Sequence, residues 1–282
     1  MKEGINVLSL FDGMSCGQIA LDKLGINVNN YYASEIDKHG IKVTQKNYPD
    51  TIHIGDVTSV FGKDLPQIDL LIGGSPCQGF SFAGKQLNFE DDRSKLFFEF
   101  VRLLKEVNPK YFMLENVQMK KEYKDIITKY LGVEPIEINS RLVTYNNRKR
   151  IYWTNIPNIS QPEDLGKKDF IKGKKIGTIS VLKNKKRMVV EREEIGCITA
   201  RYTDMNGSSR PFVMLDNNEI GEEFDSKKAN IAYRMFTPNE CEELQTVPKD
   251  YTDCVSKTQR YKMLGNGWTV DVITHIFKNM KF

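Results

Sequence analysis

Histidine is scarce in this chain of 282 residues, with three copies, and the five cysteines include no CxxC pair. An odd set of scattered thiols excludes a disulfide framework and a cysteine-built structural zinc site. No apolar run approaches the ~20 residues needed to cross a bilayer. The stretch Met1-Lys2-Glu3-Gly4 leads straight into an apolar strand and lacks the pattern of a secretory signal. Nor does one sign of charge dominate: 41 Lys and Arg against 37 Asp and Glu leave a formal net charge of +4. The expectation is a cytoplasmic, reduced protein with no membrane association, no bound metal and no obligate protein partner. The remaining composition, 40% hydrophobic, suffices for one large domain and a smaller one.

Charge is uneven in one place. Between Gly166 and Arg192, ten Lys or Arg stand against two acidic residues, including Lys183-Asn184-Lys185-Lys186-Arg187. A polyanionic partner or a solvated basic face accounts for such a run equally well.

Short apolar segments alternate with amphipathic ones through the first half, which predicts a parallel sheet with helices on its faces. Strands are predicted at Asn6 to Phe11, Tyr31 to Ser34, Ile52 to Ile54, Asp69 to Ile72 and Tyr111 to Leu114. Helical spacing covers Gly17 to Leu24, Lys38 to Asn47 and Leu96 to Val107. Ile136 to Val143 and Arg150 to Trp153 bracket a turn and read as a hairpin. Composition then shifts toward Lys, Asn, Gly and Asp. The boundaries expected are a first domain over 1–157, a small, mostly β domain over 158–261, and a return to the first over 262–282 with a helix from Val270 to Phe282.

Residues 73 to 81, Gly-Gly-Ser-Pro-Cys-Gln-Gly-Phe-Ser, place Cys77 in a loop directly after an apolar strand. Strand carboxyl ends in open α/β sheets are where ligands and chemistry collect, and a thiol is a competent nucleophile once ionised. Most free cysteines are merely small buried hydrophobes, so the reading needs partners. The first turn, Phe11-Asp12-Gly13-Met14-Ser15-Cys16-Gly17, joins strand to helix, with Glu35 ending the next strand 22 positions after Gly13. An acidic residue there suits ribose hydroxyls, yet the loop lacks the GxGxxG spacing that seats a pyrophosphate. A nucleoside cofactor without phosphates fits, namely S-adenosyl-L-methionine, with Asp56 placed for an adenine amino group. Gly13-Met14-Ser15-Cys16-Gly17 also satisfies the GxSxG elbow of α/β hydrolases, but that elbow follows a central strand and this one follows the first. A cysteine protease is weaker still, since none of His39, His53 and His275 sits in a partner motif. Glu115 ends a further strand, and Arg148 and Arg150 alternate in the hairpin so as to share one strand face. A thiol, a carboxyl and a guanidinium together are what addition to a pyrimidine ring requires.

In this order the residues closely resemble the C5-cytosine DNA methyltransferases. The resemblance is carried by FDGMSCG, SEID at Glu35, GDV at Asp56, GGSPCQGFS at Cys77, DRSKLFFEFVRLL, ENV at Glu115, NxRKR ending at Arg150, RMFTPNECEELQTVP and YKMLGNGWTVDVI. Several stretches are similar to the catalytic domain of the vertebrate de novo enzymes, whereas Asn266 follows the bacterial pattern and suggests a stand-alone prokaryotic or phage enzyme. The resemblance implies a Rossmann-like S-adenosylmethionine-dependent methyltransferase sheet with a small β target recognition domain. It implies Cys77, Glu115, Arg148 and Arg150 as catalytic residues. Cofactor contacts would be Phe11, Gly13, Gly17, Glu35, Ile36, Asp56, Pro76, Leu96 and Asn266. The substrate would be double-stranded DNA, with a cognate restriction endonuclease as the partner protein to look for. One departure stands out: Asn146 occupies a position where the family has Gln.

Gln78 and Ser81 are expected nearest the DNA backbone, and Lys183, Lys185, Lys186 and Arg187 on phosphates. Arg201 is expected to read a guanine 3′ of the target, because arginine bonds guanine O6 and N7 in bidentate fashion. Two other functions compete. The tRNA-acting branch of the family differs after Pro-Cys and carries a Cys-Phe-Thr motif absent here; inactive DNA-binding relatives lose the cysteine or the cofactor loop, both kept here.

Overall fold

A computed structural model describes residues 4–75, 92–162, 176–181, 187–192, 195–200, 211–214 and 233–282. The chain forms two compact units, the first comprising Met1–Ile138, Lys149–Pro162 and Val270–Phe282, the second Asn139–Arg148 and Glu163–Thr269.

The first unit alternates strand and helix: β1 (Ile5–Leu10), α1 (Cys16–Lys23), β2 (Val28–Ser34), α2 (Lys38–Asn47), β3 (Ile52–His53), β4 (Leu70–Gly74), α3 (Asp92–Val107), β5 (Tyr111–Val117) and α4 (Lys121–Leu131). After β6 (Ile136–Asn139) the chain passes through β7 (Asn146–Asn147) of the second unit and returns as β8 (Lys149–Thr154). The seven-stranded sheet has the order β3-β2-β1-β4-β5-β8-β6. β1 pairs in parallel with both β2 and β4, and β8 joins β5 antiparallel. Strand order therefore reverses between β1 and β4, the switch point where open α/β sheets bind ligands.

β1 and β4 are apolar on both faces, as buried parallel strands must be. Leu71 lies in a core cluster with Phe97 and Phe100 of α3. Its neighbour Ile72 points the other way, toward α1, where a Cβ on Gly17 would come within 2.4 Å of Ile72 Cδ1. Helices thus cover both faces, as the alternating sequence pattern predicts.

The second unit holds β9 (Ile176–Val181), β10 (Arg187–Arg192), β11 (Ile195–Gly196), β12 (Pro211–Met214), β13 (Tyr233–Arg234), α5 (Pro238–Leu244) and α6 (Lys257–Asn266). Four of these strands form an antiparallel sheet in the order β10-β9-β12-β13, and β11 pairs with β7. α5 opens on a capping box: Glu240 N–H donates to Thr237 Oγ1 at 3.2 Å and Thr237 N–H to Glu240 Oε2 at 2.8 Å, with Pro238 in the first turn. The last helix, α7 (Val270–Phe277), belongs to the first unit, where it packs on α1 and Asp271 pairs with Lys23 at 2.7 Å.

Several limits differ from those read in the sequence. α3 begins at Asp92, because its first turn is polar and carries no apolar period. β6 stops at Asn139, whose side chain accepts from Arg141 N–H and starts a 3-10 turn over Ser140–Leu142. α7 ends at Phe277, before the polar Lys278-Asn279. The return to the first unit begins at Val270, because α6 is fastened within the second. A Cβ on Gly265 would lie 2.1 Å from both Ala200 N and Thr199 C, so helix and backbone touch there with no room for a side chain.

That contact reverses an ordinary rule. Within a helix, Gly to Ala normally gains about 1 kcal/mol. Gly265→Ala is expected to lose about 1 to 3 kcal/mol through overpacking against fixed backbone, read as a lower denaturation midpoint in urea. A variant as stable as the parent would show that α6 does not pack on residues 199–200.

Candidate active site

The turn after β1 contains three left-handed residues in alternation, Phe11 (φ 57), Gly13 (φ 62) and Ser15 (φ 58). Two of them carry side chains that disfavour this region, so surrounding contacts must impose it. Asp12 supplies them. Its carboxylate, on a half-buried residue, accepts from Ser9 Oγ at 2.6 Å, from Tyr31 OH at 2.9 Å and from Ser15 Oγ. Its backbone N–H donates to Ser34 O at 3.2 Å, tying the turn to the end of β2. Ser15 Oγ in turn accepts from Gln18 Nε2 and Thr44 Oγ1, on α1 and α2. Burial pushes the Asp12 carboxyl above its ordinary range, while the hydroxyls of Ser15, Ser9 and Tyr31 and the neighbouring Glu35 charge adjust it less. Its contribution to folding is therefore fully present below the ordinary carboxylate pKa of about 4 and is lost as pH rises through the elevated value.

With the turn so held, Gly13 N–H donates to Glu35 Oε2 at 2.7 Å. Glu35 Oε1 accepts from Ile36 N–H and Asp37 N–H, each at 2.7 Å, which fixes the carboxylate at the end of β2. Ile36 beside it is 75% exposed, an apolar surface standing in water at a sheet edge. Asp56, also exposed, follows β3 and accepts from Thr58 N–H at 2.9 Å; Ser34 Oγ donates to Gly55 O next to it. Phe11, Gly13, Glu35, Ile36 and Asp56 thus meet at the carboxyl ends of β1, β2 and β3. This set fits a nucleoside and opposes a phosphate: Gly13 N–H is already committed to a carboxylate whose charge would repel one.

Gly17 is buried against Ile72 and Tyr31, so its position is one of close helix packing. Leu96 is half-buried against the α3 side of the core. Asn266, exposed, is the last residue of α6 in the second unit. Pro76 lies outside the described residues.

Glu115 sits near the end of β5, 8% exposed. Its Oε1 is 3.0 Å from Arg150 Nε, and Arg150 Nη1 donates to Lys149 O at 2.8 Å. Register explains the pairing: Arg150 stands opposite Val117, on the same face as Glu115. On the other side of β5, Gly74 of β4 is the direct partner of Glu115. β4 therefore ends beside the carboxyl.

Arg148 corrects an expectation. It is not on a strand face shared with Arg150, since the chain changes units between the two. Its side chain is 2% exposed and donates to Ile198 O at 3.1 Å, Gly265 O at 3.0 Å and Gly267 O at 2.8 Å. These are carbonyls at the end of α6 and beside it, groups a helix leaves unpaired. Gln245 completes the clamp, donating to Leu264 O at 2.8 Å while accepting from Thr269 Oγ1 at 2.6 Å and from Asn146 Nδ2 at 3.3 Å. Asn146, in place of the family's Gln, thus still joins the buried network. Sequence reasoning missed Asp12 and Gln245; the signal for Asp12 was its place between two quoted turn residues, and Gln245 gave none.

Cys16 and Cys241 are buried, and burial pushes the Cys241 thiol far up, so both are core residues. Cys77, Gln78, Ser81, Lys183, Lys185, Lys186 and Arg201 lie outside the described residues. Arg187 opens β10, opposite Val181.

The chain matches the family model described as C-5 cytosine-specific DNA methylase over residues 5–192 and 120–282. It is 32% identical over 309 aligned residues to the type II methyltransferase M1.ScrFI of Lactococcus lactis subsp. cremoris, covering 97% of this chain and 77% of that protein. The type II methyltransferase M.NgoBV of Neisseria gonorrhoeae is 38% identical over 172 residues, 53% of this chain and 41% of its own length. The orphan methyltransferase M.SPRI of Bacillus phage SPR is 44% identical over 116 residues, 40% of this chain and 26% of its own. Among solved structures, the Entamoeba histolytica methyltransferase EhMeth superposes with a TM-score of 0.76 at 20% identity over all of both chains. S. pombe Dnmt2 gives 0.71 at 19% identity, covering 99% of this chain and all of that one. At these identities the two structures bear on the fold.

α2 presses on the turn at one point, where a Cβ on Gly40 would lie 2.4 Å from Gly13 O. Gly40→Ala is expected to displace the turn and weaken S-adenosylmethionine binding by about tenfold or more, equivalent to about 1.4 kcal/mol. Calorimetric titration reads the affinity directly. Unchanged affinity would mean that the turn's conformation does not hold the cofactor.

Proposed function

The chain belongs to the C-5 cytosine-specific DNA methylase family, and we propose that it methylates a flipped-out cytosine in double-stranded DNA with Cys77 as nucleophile and Glu115 as acid. It is a DNA (cytosine-5-)-methyltransferase that uses S-adenosylmethionine. The observation that best supports the assigned roles is the pairing of Glu115 with Arg150 at 3.0 Å, on the strand whose residue 115 stands opposite Gly74.

C5 of cytosine is too poor a nucleophile to react unaided. In the reading proposed, the Cys77 thiolate forms a bond to C6 while Glu115 delivers a proton or hydrogen bond to N3, so the ring electrons collect at C5 as an enamine. Bound S-adenosylmethionine would supply an electrophilic methyl group, which C5 takes as the methyl–sulfur bond breaks and the thioether S-adenosylhomocysteine is left. A water-borne base then removes the C5 proton, the C5–C6 double bond re-forms and the S–C6 bond breaks, returning the thiolate. Arg150 pairs with Glu115 at 3.0 Å and would hold the O2 carbonyl. Arg148 acts at a distance, by fastening α6. Because C6 is unreachable inside a duplex, the base must leave the stack at a cost of a few kcal/mol. Glu35, Ile36, Gly13 and Asp56 would hold the ribose and adenine of the cofactor. The second unit, with Lys183, Lys185, Lys186 and Arg187, is assigned to target recognition and phosphate contact, and a cytoplasmic location goes with that substrate.

A duplex carrying 5-fluorocytosine, incubated with the protein and S-adenosylmethionine, tests the chemistry, because fluorine at C5 cannot leave as a proton once the methyl group is in place and the covalent adduct persists under denaturation. The native protein should form it and Cys77→Ala should not; an adduct with Cys77→Ala would overturn the assignment. Glu115→Gln should keep cofactor affinity and lose about 10²- to 10⁴-fold in kcat. A transfer RNA offered in place of DNA should stay unmodified.

Arg201 is proposed to read guanine immediately 3′ of the target, a contact worth about 1 to 3 kcal/mol of discrimination. Bisulfite profiles of DNA from cells expressing Arg201→Ala should show relaxed preference at that base alone. Uniform loss with the site preference intact would return Arg201 to a phosphate contact.

A further inference from the structure

β4 and β5 end side by side, and successive residues of β5 face opposite sides of the sheet. Glu115 turns to Arg150. Asn116, 1% exposed, turns to Ser75, itself 5% exposed, and its Nδ2 lies 3.2 Å from Ser75 Oγ and 3.5 Å from Ser75 O. Its Oδ1 accepts from Val117 N–H at 2.8 Å. One short amide thus locks its own strand with its acceptor and reaches the neighbouring strand end with its donor. Neither Asp, which has no donor, nor Leu, which has neither group, can do both.

We propose that Asn116 is a positioning residue for the nucleophile, acting through Ser75; this rests on the reading of Cys77 given above. Ser75 precedes Pro76-Cys77. The proline ring fixes one backbone torsion between Ser75 and the thiol, and proline restricts the residue before it as well. A direction set at Ser75 would therefore reach Cys77 with fewer free torsions in between than an ordinary residue would leave. On this reading β5 serves both chemical partners, the acid as its own residue 115 and the nucleophile through residue 116 and Ser75. Misplacing a reacting group by about 1 Å costs on the order of 100-fold in rate.

The test is the rate of adduct formation with 5-fluorocytosine duplex under single-turnover conditions, alongside S-adenosylmethionine affinity by calorimetry. Asn116→Ala should slow adduct formation about 10- to 100-fold and leave cofactor affinity within about twofold. Ser75→Ala, which removes the partner hydroxyl alone, should act in the same direction; should Asn116→Ala fail to fold, it carries the same expectation. The double variant should be no slower than Asn116→Ala, because both act through one contact. Adduct formation at the native rate in either folded single variant, or additive effects in the double, would overturn the proposal. A native protein that forms no Cys77-dependent adduct would instead remove the reading on which it rests.

Discussion

Taking a carboxyl group out of water costs free energy that hydrogen bonds can offset, and at Asp12 hydroxyls from Ser9, Ser15 and Tyr31 offset part of it. The three donors come from β1, the turn itself and β2, so satisfying one carboxyl group fixes the relative position of three segments. The left-handed residues on either side are held open by this arrangement. Gly13 N–H then faces Glu35, Glu35 is oriented by three backbone amides, and Ile36 is left standing in solvent. Each of these features would relax if the Asp12 carboxyl were lost.

A second constraint governs the arginine signature. Its two guanidiniums are two residues apart in sequence and lie in different compact units. Arg150 meets a carboxylate, whereas Arg148 meets carbonyl oxygens at the end of α6. The same side chain serves both because its rigid fork of donors suits either acceptor. Folding the second unit and equipping the first are thus served by one short stretch of chain.

Much of this was legible in the sequence. Val7, Leu8 and Leu10, with Leu70, Leu71 and Ile72, announce strands buried on both faces, and Lys38–Asn47 is helical over the residues that spacing predicts. Glu35 was singled out by its distance of 22 positions from Gly13, and Asp56 by its place at the end of the third strand. Other features had no local signal. β5 runs on to Val117 through Glu115 and Asn116, polar residues that break the apolar pattern yet pair with β8. The unit boundary between Arg148 and Lys149 falls inside what reads as one alternating strand, since period-2 patterning reports which face is buried and not what buries it. Asn116 and Gln245 were silent for a related reason: a buried amide is defined by partners 41 and 19 or more positions away.

α7 has a consequence for how the protein is made. Val272, Ile273 and Ile276 are fully buried, and the helix packs on α1, with Lys23 reaching Asp271 across 248 positions of sequence. On a ribosome, the apolar flank of α1 is synthesised early and must wait, uncovered, until the last helix emerges. Contacts of such long sequence separation slow folding and lengthen exposure to aggregation. The second unit is encoded between α1 and α7, so the order of synthesis leaves the sheet that α1 covers to be closed only after that unit has been made.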